Sequence, residues 1–585
     1  AQSRKWDDVA NDTSITHGFI CEFDDEPEPV KTSPLNPRFL EWQANPSKWN
    51  TGENFGAIPS PENTSHLRKN PPRKSGVFTA SANDNDNLPT FYDGRVSLDI
   101  PAARNQRPFG TCWAFATIGA LEINYKAQKL NILGDNPDLS ELHLAWFTFM
   151  DPNFCTPQRK DYVLEISSNA DKAYAYLQRR TGPVNEKDMP YSAAGNDSSN
   201  ANSAVKSFLG NRTAGSFDKA KISVKEKILI ADTEESANKG AYEYLSSLDI
   251  AEIKSLIKKH GAVYVHYWHD KNYYDETYNS YHSSSDRGPH AVLLVGWDDN
   301  FSRDNFKVKP ESNGAWLVRN SQGSNWGDKG YFWMSYNQAD NGGNGMYNAR
   351  AFTVEEDSDA EYTQTKGGGE KVQNIDVQWA AALFMADRDE KLISINIETT
   401  DNNAKYDIFV NNFGKLQPTD PGDAENPLIS GEFSYAGSHK IDLPEPVTFH
   451  KGDYYAVIVK MTLTSDYGYP TGVSAAIANY SSPDIRKKET FFATGEPVPA
   501  LWQDGIDMEG GPYKACIRVL TEPIILYAAA PAITTLGLNE ANAGEQYNFT
   551  LTASGTQPIE WRRGGNFPSG LSLTRQGVLT GTISE

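Results

Sequence analysis

The sequence is poor in cysteine, in basic charge and in long apolar runs, and each shortage argues against a class of protein. Four cysteines in 585 residues are too few for a dense disulfide framework, and their spacing fits no metal site. The formal net charge of −21 disfavours a nucleic-acid partner. No run approaches the roughly 20 apolar residues of a transmembrane helix. The length instead predicts three or four globular domains.

The start of the chain bears on location. It opens with Ala1-Gln2-Ser3, and no basic stretch followed by an apolar one precedes the first domain. A chain whose signal peptide has been removed would begin in this way. This start therefore fits a secreted or surface-displayed protein whose signal peptide is absent from this chain, and it equally fits a chain trimmed at this point.

One segment combines the features that thiol catalysis needs. Gln106 precedes Cys112 by six residues, and an apolar helix is expected over 112–128. A cysteine in the first turn of a helix lies at the positive end of the helix dipole, which lowers the thiol pKa and favours the reactive thiolate. The Gln106 amide and the backbone N–H of Cys112 could then stabilise an oxyanion. A buried structural cysteine is the alternative for this segment taken alone.

A thiolate nucleophile also needs a base and a group that orients this base. His290 begins an apolar strand, in the segment Gly288-Pro289-His290-Ala291-Val292. Asn320 ends another strand and is followed by Trp326-Gly327. A single histidine or asparagine at such a position is usually structural, so the interpretation depends on all of the segments together.

Together, these segments resemble the papain/cathepsin family of cysteine proteases, in the order Gln106, Cys112, His290, Asn320. The resemblance covers about 88–355 and implies an α+β domain with a helical half and a β-barrel-like half. It implies that Cys112 is the nucleophile and that His290 exchanges protons with it. Asn320 would orient His290, and Gln106 would contribute to the oxyanion hole.

The resemblance further implies substrate-binding positions at Ser168, Asn169, Ala291 and Trp326. Ser168 and Asn169 lie where the family has a double glycine, so we expect a more crowded cleft wall that still pairs with peptide backbone. Gln322 lies where most members have a tryptophan that covers the His–Asn hydrogen bond, and the sequence leaves open what covers this bond here.

Residues 1–87 are polar and proline-rich, and they precede a segment that resembles the start of mature papain-like domains. We predict a pro-segment that docks along the cleft, anchored by Phe39 or Trp42 and cut near 81–88. Its only expected helix lies around Arg38–Trp42. A disordered spacer is the alternative.

From 370 to about 525 the sequence has a period of two, which is typical of β-strands. We predict a linker over 356–369 and a β-sandwich over 370–525, in which Ile393, Ile395 and Ile397 share one face. This sandwich resembles the lectin-like domain of bacterial surface cysteine proteases. Residues 526–585 resemble part of an immunoglobulin-like module. We expect the C-terminal modules to fold independently of the protease domain.

The sequence therefore predicts an exported bacterial cysteine endopeptidase that acts on protein or peptide substrates and needs no cofactor for catalysis. A non-catalytic surface adhesin on the same scaffold and a papain-fold transpeptidase remain as alternatives. The C-terminal domains are expected to bind glycan or cell wall. Their acidic loops are compatible with a structural calcium ion, for which no ligands are assigned.

Overall fold

The computed structural model describes most of the chain, in blocks separated by gaps. The described residues are 30–46, 55–73, 88–150, 162–231, 234–235, 242–243, 247–283, 288–338, 346–357, 363–493, 495, 502–524, 532–555, 559–562 and 569–583. Cys21, Cys155 and the cut predicted near 81–88 lie outside these residues, except for Leu88 itself.

The helices lie mostly in the first half of the protease-like region. They are α1 (Pro37–Ala44), α2 (Gly94–Ser97), α3 (Cys112–Ala127), α4 (Glu141–Met150), α5 (Ala170–Leu177), α6 (Ala201–Leu209) and α7 (Ser247–His260). Helix α3 begins at the predicted residue and is buried from Cys112 to Tyr125, because its residues are nearly all small or apolar. Among the described residues, no helix has the length and apolarity that crossing a membrane requires.

An antiparallel sheet packs against α3 and completes the α+β arrangement predicted for this region. Its strands run in the order β2-β11-β5-β8-β9-β10, and α3 lies against β8 and β11. The strands and short pairings up to residue 356 are β1 (Phe91–Asp93), β2 (Ile222–Leu229), β3 (Glu234–Glu235), β4 (Tyr242–Glu243), β5 (Val263–Trp268), β6 (Tyr274–Asp275), β7 (Ser280–Tyr281), β8 (Pro289–Asp298), β9 (Ala315–Arg319), β10 (Tyr331–Ser335) and β11 (Tyr347–Glu356).

A mostly β region follows, as predicted, and its two main sheets enclose an apolar core. One sheet has the order β12-β24-β15-β18 and the other β17-β16-β19-β14-β21-β22, with a small β13-β20-β23 sheet beside them. The strands are β12 (Gln364–Gly367), β13 (Gln373–Ile375), β14 (Trp379–Met385), β15 (Glu390–Thr399), β16 (Ala404–Gly414), β17 (Ile429–Phe433), β18 (Gly437–Phe449), β19 (Tyr454–Thr462), β20 (Thr471–Ser474), β21 (Thr490–Ala493), β22 (Gln503–Asp504), β23 (Lys514–Ala515) and β24 (Arg518–Pro523).

The two regions share one continuous sheet, which corrects the expectation of independent folding. Strand β2 pairs with β11 on one side and with β18 on the other, through Gly437↔Ile228, Ser438↔Lys227 and His439↔Glu226. The predicted linker is also corrected in part, since Gln364–Gly367 pairs with β24 as an edge strand of this sheet. Strand pairing between distant segments outweighs the loop-like composition there.

A bulge changes the face pattern predicted for β15. The register with its neighbours β18 and β24 shifts between Leu392 and Ser394. Leu392, Ile395 and Ile397 are therefore buried, whereas Ile393 is only half-buried. One extra residue in a strand reverses the alternation of its side chains, which the composition of the strand alone does not reveal.

The described part of the N-terminal segment docks on both regions. Helix α1 places Phe39, which is fully buried, against Tyr480 of the β region with ring centroids 5.2 Å apart. Thr32 pairs with Ile375, and Ala57 pairs with Ser168 of the protease-like region. Order in this polar, proline-rich segment thus comes from docking, as predicted.

The last described residues form a small β unit of their own. Its strands are β25 (Ala532–Ile533), β26 (Gln546–Thr550), β27 (Ala553–Ser554), β28 (Leu571–Leu573) and β29 (Val578–Thr582). They pair as β25-β27 and β26-β29-β28. Tyr547 and Leu579 are the buried apolar residues of this unit within the described residues.

Candidate active site

Cys112 is the first residue of α3 and is fully buried. The backbone N–H of Gly56 donates to its sulfur at 3.4 Å, and the backbone N–H of Ala291 also hydrogen-bonds to it. Because Ala291 follows His290 directly on β8, the sheet brings the histidine to the thiol. The helix start and the strand start meet here, as the sequence predicted.

His290 is hydrogen-bonded to Asn320, the residue after β9. Its Nε2 lies 2.8 Å from Asn320 Oδ1, and the same oxygen accepts the backbone N–H of Ser321 at 2.8 Å. An amide oxygen only accepts, so Nε2 carries a proton and Nδ1 remains for the thiol. Among the described residues, Nδ1 has no hydrogen-bond partner, although it is buried. The hydrogen bond to Asn320 therefore engages Nε2 and leaves Nδ1 as the second ring nitrogen of a buried histidine.

Burial determines the protonation states of Cys112 and His290. It raises the pKa of the Cys112 thiol to about 11, although the N–H groups of Ala291 and Gly56 act in the opposite direction. Burial also lowers the pKa of His290 to about 4, against the hydrogen bond with Asn320. Both shifts favour the neutral thiol and neutral imidazole near pH 7, because a buried site disfavours charge.

Gln106 lies beside the thiol turn and is buried. Its Nε2 donates to the carbonyl oxygen of Phe109 at 2.9 Å, and its Oε1 accepts from Ser321 Oγ at 2.5 Å. The backbone N–H of Gln106 also donates to Ser321 O at 2.9 Å. Ser321 thus connects Gln106 to Asn320, a link that the residue types did not reveal.

Gln322 has no ring that could cover the hydrogen bond between His290 and Asn320. Its Oε1 accepts a hydrogen bond from Arg107 at 2.7 Å. The Phe55 ring covers His290 instead, with centroids 4.4 Å apart. Tyr267 and His269 contact His290 through their rings at 5.8 and 6.1 Å. Part of the shielding therefore comes from the N-terminal segment.

The four predicted substrate positions fall in different surroundings. Ser168 and Ala291 are fully buried in the cleft, and Asn169 caps α5 through its side chain, which accepts from Lys172 N. Trp326 instead packs against Tyr274 and Phe332, with centroids 4.9 and 5.5 Å apart. Among the described residues, no hydrogen bond or ring contact joins Trp326 to residues 55–59, the part of the N-terminal segment that lies in the cleft.

That segment runs from Phe55 to Pro59 along the wall formed by Ser168. Ser168 N donates to Gly56 O at 2.7 Å, and Ile58 N donates to Ser168 O at 3.0 Å, which is a parallel pairing. A Cβ at Gly56 would lie 1.6 Å from Gly110 O, so only glycine fits at this point. The crowded wall predicted for Ser168 thus pairs with peptide backbone.

Sequence reasoning missed Phe55 and Gly56, which contact the catalytic pair directly. It expected Phe39 or Trp42 to anchor the segment, and Phe39 does so on the β region and not in the cleft. No local pattern distinguishes Phe55-Gly56 from other aromatic–glycine pairs. Their position depends on docking between distant parts of the chain.

Residues 88–352 match the papain family cysteine protease model, and residues 363–504 match the lectin-like domain model. The chain therefore carries a papain-family cysteine protease domain followed by a lectin-like domain. The first match ends within β11, and the second begins just before β12 and ends with β22, so that β23 and β24 lie beyond it.

Among solved structures, the protein is similar to the cysteine protease and lectin-like domains of Cwp84, a surface layer associated protein of Clostridium difficile. That likeness has a TM-score of 0.66 at 23% identity and covers 85% of this chain and 99% of that one. A form of clostridial Cwp84 after propeptide cleavage matches at 25% identity and a TM-score of 0.58, covering 74% of this chain and 99% of that one.

Curated relatives match over the protease domain. A cathepsin L-like protein of Caenorhabditis elegans is 27% identical over 258 residues, which are 43% of this chain and 61% of the relative. Cysteine proteinase 1 of Zea mays is 28% identical over 252 residues, 42% of this chain and 56% of the relative. The chain thus spans about three fifths of the length of these relatives.

Proposed function

We propose that the protein is a cysteine endopeptidase whose site consists of Cys112, His290, Asn320 and Gln106. The observation that supports this best is the peptide already in the cleft. Its backbone pairs with Ser168 and places consecutive residues, Phe55 and Gly56, on the imidazole and the thiol. A cleft that holds an extended chain against a Cys–His pair is suited to peptide bonds.

The reaction follows from the roles of these groups and uses no cofactor. His290 Nδ1 first takes the proton of the Cys112 thiol. The resulting thiolate adds to the scissile carbonyl carbon, and the electron pair of the C=O bond moves to its oxygen. The Cys112 N–H and the Gln106 amide stabilise this oxyanion. The C=O bond then forms again, the C–N bond breaks, and the leaving amine takes the proton from His290, which leaves the acyl-enzyme. Water, deprotonated by His290, attacks the thioester and releases the acid and the thiol.

In the intact chain, the same segment keeps the site latent. The atom of the segment that contacts Cys112 Sγ is an amide nitrogen, Gly56 N, and not a carbonyl carbon. The thiol therefore has no carbonyl carbon of the segment placed for attack. Substrate cannot reach Ser168 while the segment pairs with it. Removal of the segment would restore water to the pair, lower the thiol pKa and raise the imidazole pKa.

The test compares the intact chain with a chain cut within 81–87, on a fluorogenic peptide and with an epoxide thiol-protease inhibitor read out by mass spectrometry. Cut protein should turn over the peptide and be labelled at Cys112, while the intact chain is much slower. Cys112→Ala should be inactive in both forms. A cut, folded protein that is neither active nor labelled would support the non-catalytic alternative.

A variant makes the test sharper. Gly56→Val cannot keep the described position of the segment, since its Cβ would meet Gly110 O. The uncut variant should be active at a rate near that of cut protein. Gly537→Val, where a Cβ meets nothing within 4 Å, is the matched control and should stay latent. Added amine nucleophiles would reveal transpeptidation by diverting the acyl-enzyme from hydrolysis.

We further propose that the enzyme acts at a bacterial surface. The likeness to Cwp84, a surface layer associated protein, and the lectin-like domain support this placement. Fractionation of the source cells should recover the protein in the cell-wall or medium fraction. Recovery in the cytoplasmic fraction alone would contradict the proposal.

A further inference from the structure

Two loops of the lectin-like domain form a polar pocket that is filled by residues 66–73 of the N-terminal segment. One loop, Thr400–Asn403, joins β15 to β16, and the other, Thr464–Tyr467, follows β19. We call these loops the sandwich pocket. Asp401 and Asn403 are fully buried under the segment, and Asn402 is 4% exposed.

The Asn70 side chain occupies the centre of the sandwich pocket. Its Nδ2 donates to Asp401 Oδ2 at 3.0 Å and to Asn402 O at 2.6 Å. Its Oδ1 accepts from Asn403 Nδ2 at 3.1 Å. The Asn70 amide thus both donates and accepts hydrogen bonds, and all of these partners belong to the lectin-like domain.

The backbone around Asn70 completes the contact. Asn402 Nδ2 donates to Asn70 O at 2.9 Å, and Asn403 Nδ2 donates to Pro71 O at 2.9 Å. Arg73 N donates to Asn403 Oδ1 at 2.6 Å. When the segment leaves, these side-chain groups lose their partners, and their donors and acceptors become available to another ligand.

An aromatic face borders the sandwich pocket. The His66 ring lies on Tyr467 with centroids 3.4 Å apart and planes only 3° from parallel, and its Nε2 bonds to Thr400 O at 2.8 Å. Burial lowers the pKa of His66, so the stacked ring is neutral. The segment therefore places a flat, uncharged ring, His66, on the aromatic ring of Tyr467. Beside it lies the Asn70 amide, which both donates and accepts hydrogen bonds.

A saccharide has the same combination. The C–H face of a pyranose is apolar and flat enough to lie on an aromatic ring, and its hydroxyl or acetamido groups both donate and accept. Asp401 accepts from Ser465 Oγ and Asn402 N within its own domain and from the Asn70 amide of the segment, so a donor of the saccharide would replace that amide. Asn402 and Asn403 offer donors and acceptors beside it. Their burial means that an occupant would be held in a desolvated site.

We propose that the sandwich pocket binds a saccharide, with the ring on Tyr467 and the polar groups on Asp401, Asn402 and Asn403, and that residues 66–73 are an internal mimic that closes it. The same segment covers Cys112 through Phe55 and Gly56, so its departure opens both sites together. The saccharide site depends on the lectin-like domain and stands whether or not the thiol is active.

The experiment keeps the full chain and removes the two side chains of the mimic that contact Tyr467 and Asp401. His66→Ala/Asn70→Ala is made in a Cys112→Ala background and applied to a printed panel of neutral and N-acetylated oligosaccharides. The parent protein should give no signal, and the opened variant should bind at least one class of oligosaccharide with a signal at least tenfold higher. A synthetic peptide of residues 62–73, added in excess, should return the signal to background.

Further variants locate the site. In the opened background, Tyr467→Ala should reduce binding at least tenfold, while Tyr467→Phe keeps the stacking face and should retain it. Asn403→Gly is a second probe, because Asn403 has a φ of +56° that glycine adopts without strain. It should also reduce binding at least tenfold. Absence of binding by the folded, opened variant would overturn the proposal, and so would binding that survives both Tyr467→Ala and Asn403→Gly.

A protein ligand is the other occupant that the mimic could represent, since it is itself a peptide. Opened protein that captures the 62–73 peptide but none of the oligosaccharides would assign the sandwich pocket to peptide recognition and overturn the saccharide proposal.

Discussion

The two β regions that follow the protease domain differ in how they are joined to it. The lectin-like domain continues the protease sheet through β18, and it receives buried side chains from the protease domain. The unit formed by β25–β29 pairs only with itself within the described residues, and Leu536 and Ile533 there are strongly exposed. A period of two predicts strands, but it does not predict which domain a strand will join.

Buried charge shows how closely the first of these regions is joined to the protease domain. Lys172 of α5 lies 2.9 Å from Glu370, and both side chains are less than a tenth exposed. Lys172 also donates to Tyr480 O at 2.7 Å. Gln178, after α5, donates to Asn396 at 2.8 Å and to Ser438 at 2.9 Å. Since burying charge is costly without a partner, each domain needs the other to satisfy these groups.

The largest expected effect comes from removing the lectin-like domain. A chain that ends at residue 357 loses β18 beside β2 and leaves Lys172 without Glu370. We expect it not to fold stably, because these losses approach the 5–15 kcal/mol that holds a typical domain together. Soluble yield and circular dichroism would show this. A soluble truncated protein with unchanged melting and full peptide turnover would mean that the shared sheet is dispensable.

A single interface charge should have a smaller but measurable effect. Glu370→Gln keeps the size of the side chain and removes the charge that balances Lys172. Breaking a buried pair in this way costs about 3 kcal/mol, so the urea midpoint should fall clearly. Glu545→Gln is the matched control, since Glu545 lies exposed in the β25–β29 unit and accepts from Asn542 at 3.1 Å. Equal midpoints for both variants would contradict the argument.

A third prediction concerns acid stability at the interface. Burial alone would raise the pKa of Glu226, but the hydrogen bond and charge of His439 at 3.0 Å, with His260 and Lys259, lower it to about 2. A carboxylate with a lowered pKa contributes stability above its ordinary value near 4.5, and this contribution disappears as the pH falls toward 2. It amounts to at most about 3 kcal/mol, at 1.36 kcal/mol per unit.

Glu226→Gln isolates this contribution. The difference in unfolding free energy between wild type and variant, measured in urea at a series of pH values, should shrink as the pH falls from about 4.5 to 2. A difference that stays constant over this range would show that the Glu226–His439 pair does not titrate with unfolding.

The sequence predicted the helix that carries Cys112 and the strand that carries His290, because each element is encoded locally. The apolar strand predicted to begin at His290 runs from Pro289 to Asp298, and the helix predicted from Cys112 begins there. Gly261 ends α7 with a φ of +84°, as its position after a helix indicates. Apolar periodicity, helix ends and a known order of residues require no knowledge of distant partners.

What the sequence did not predict depends on partners far along the chain. The pairing of β2 with β18 joins residues more than 200 positions apart, and Gly56 contacts a thiol 56 positions away. The bulge between Leu392 and Ser394 likewise reflects the neighbouring strands and not the composition of β15. Such features are set by how whole sheets and segments dock, so a local pattern carries little information about them.

The smallest expected effect comes from removing the β25–β29 unit, and it completes the comparison. A chain that ends at residue 524 keeps β24, the shared sheet and every interface contact described above. The unit buries little apolar surface, so it contributes little to the rest of the molecule. Melting temperature, the latency of the intact chain and turnover after cutting within 81–87 should all match those of the full chain. A melting temperature several degrees lower would instead show that the β25–β29 unit stabilises the lectin-like domain.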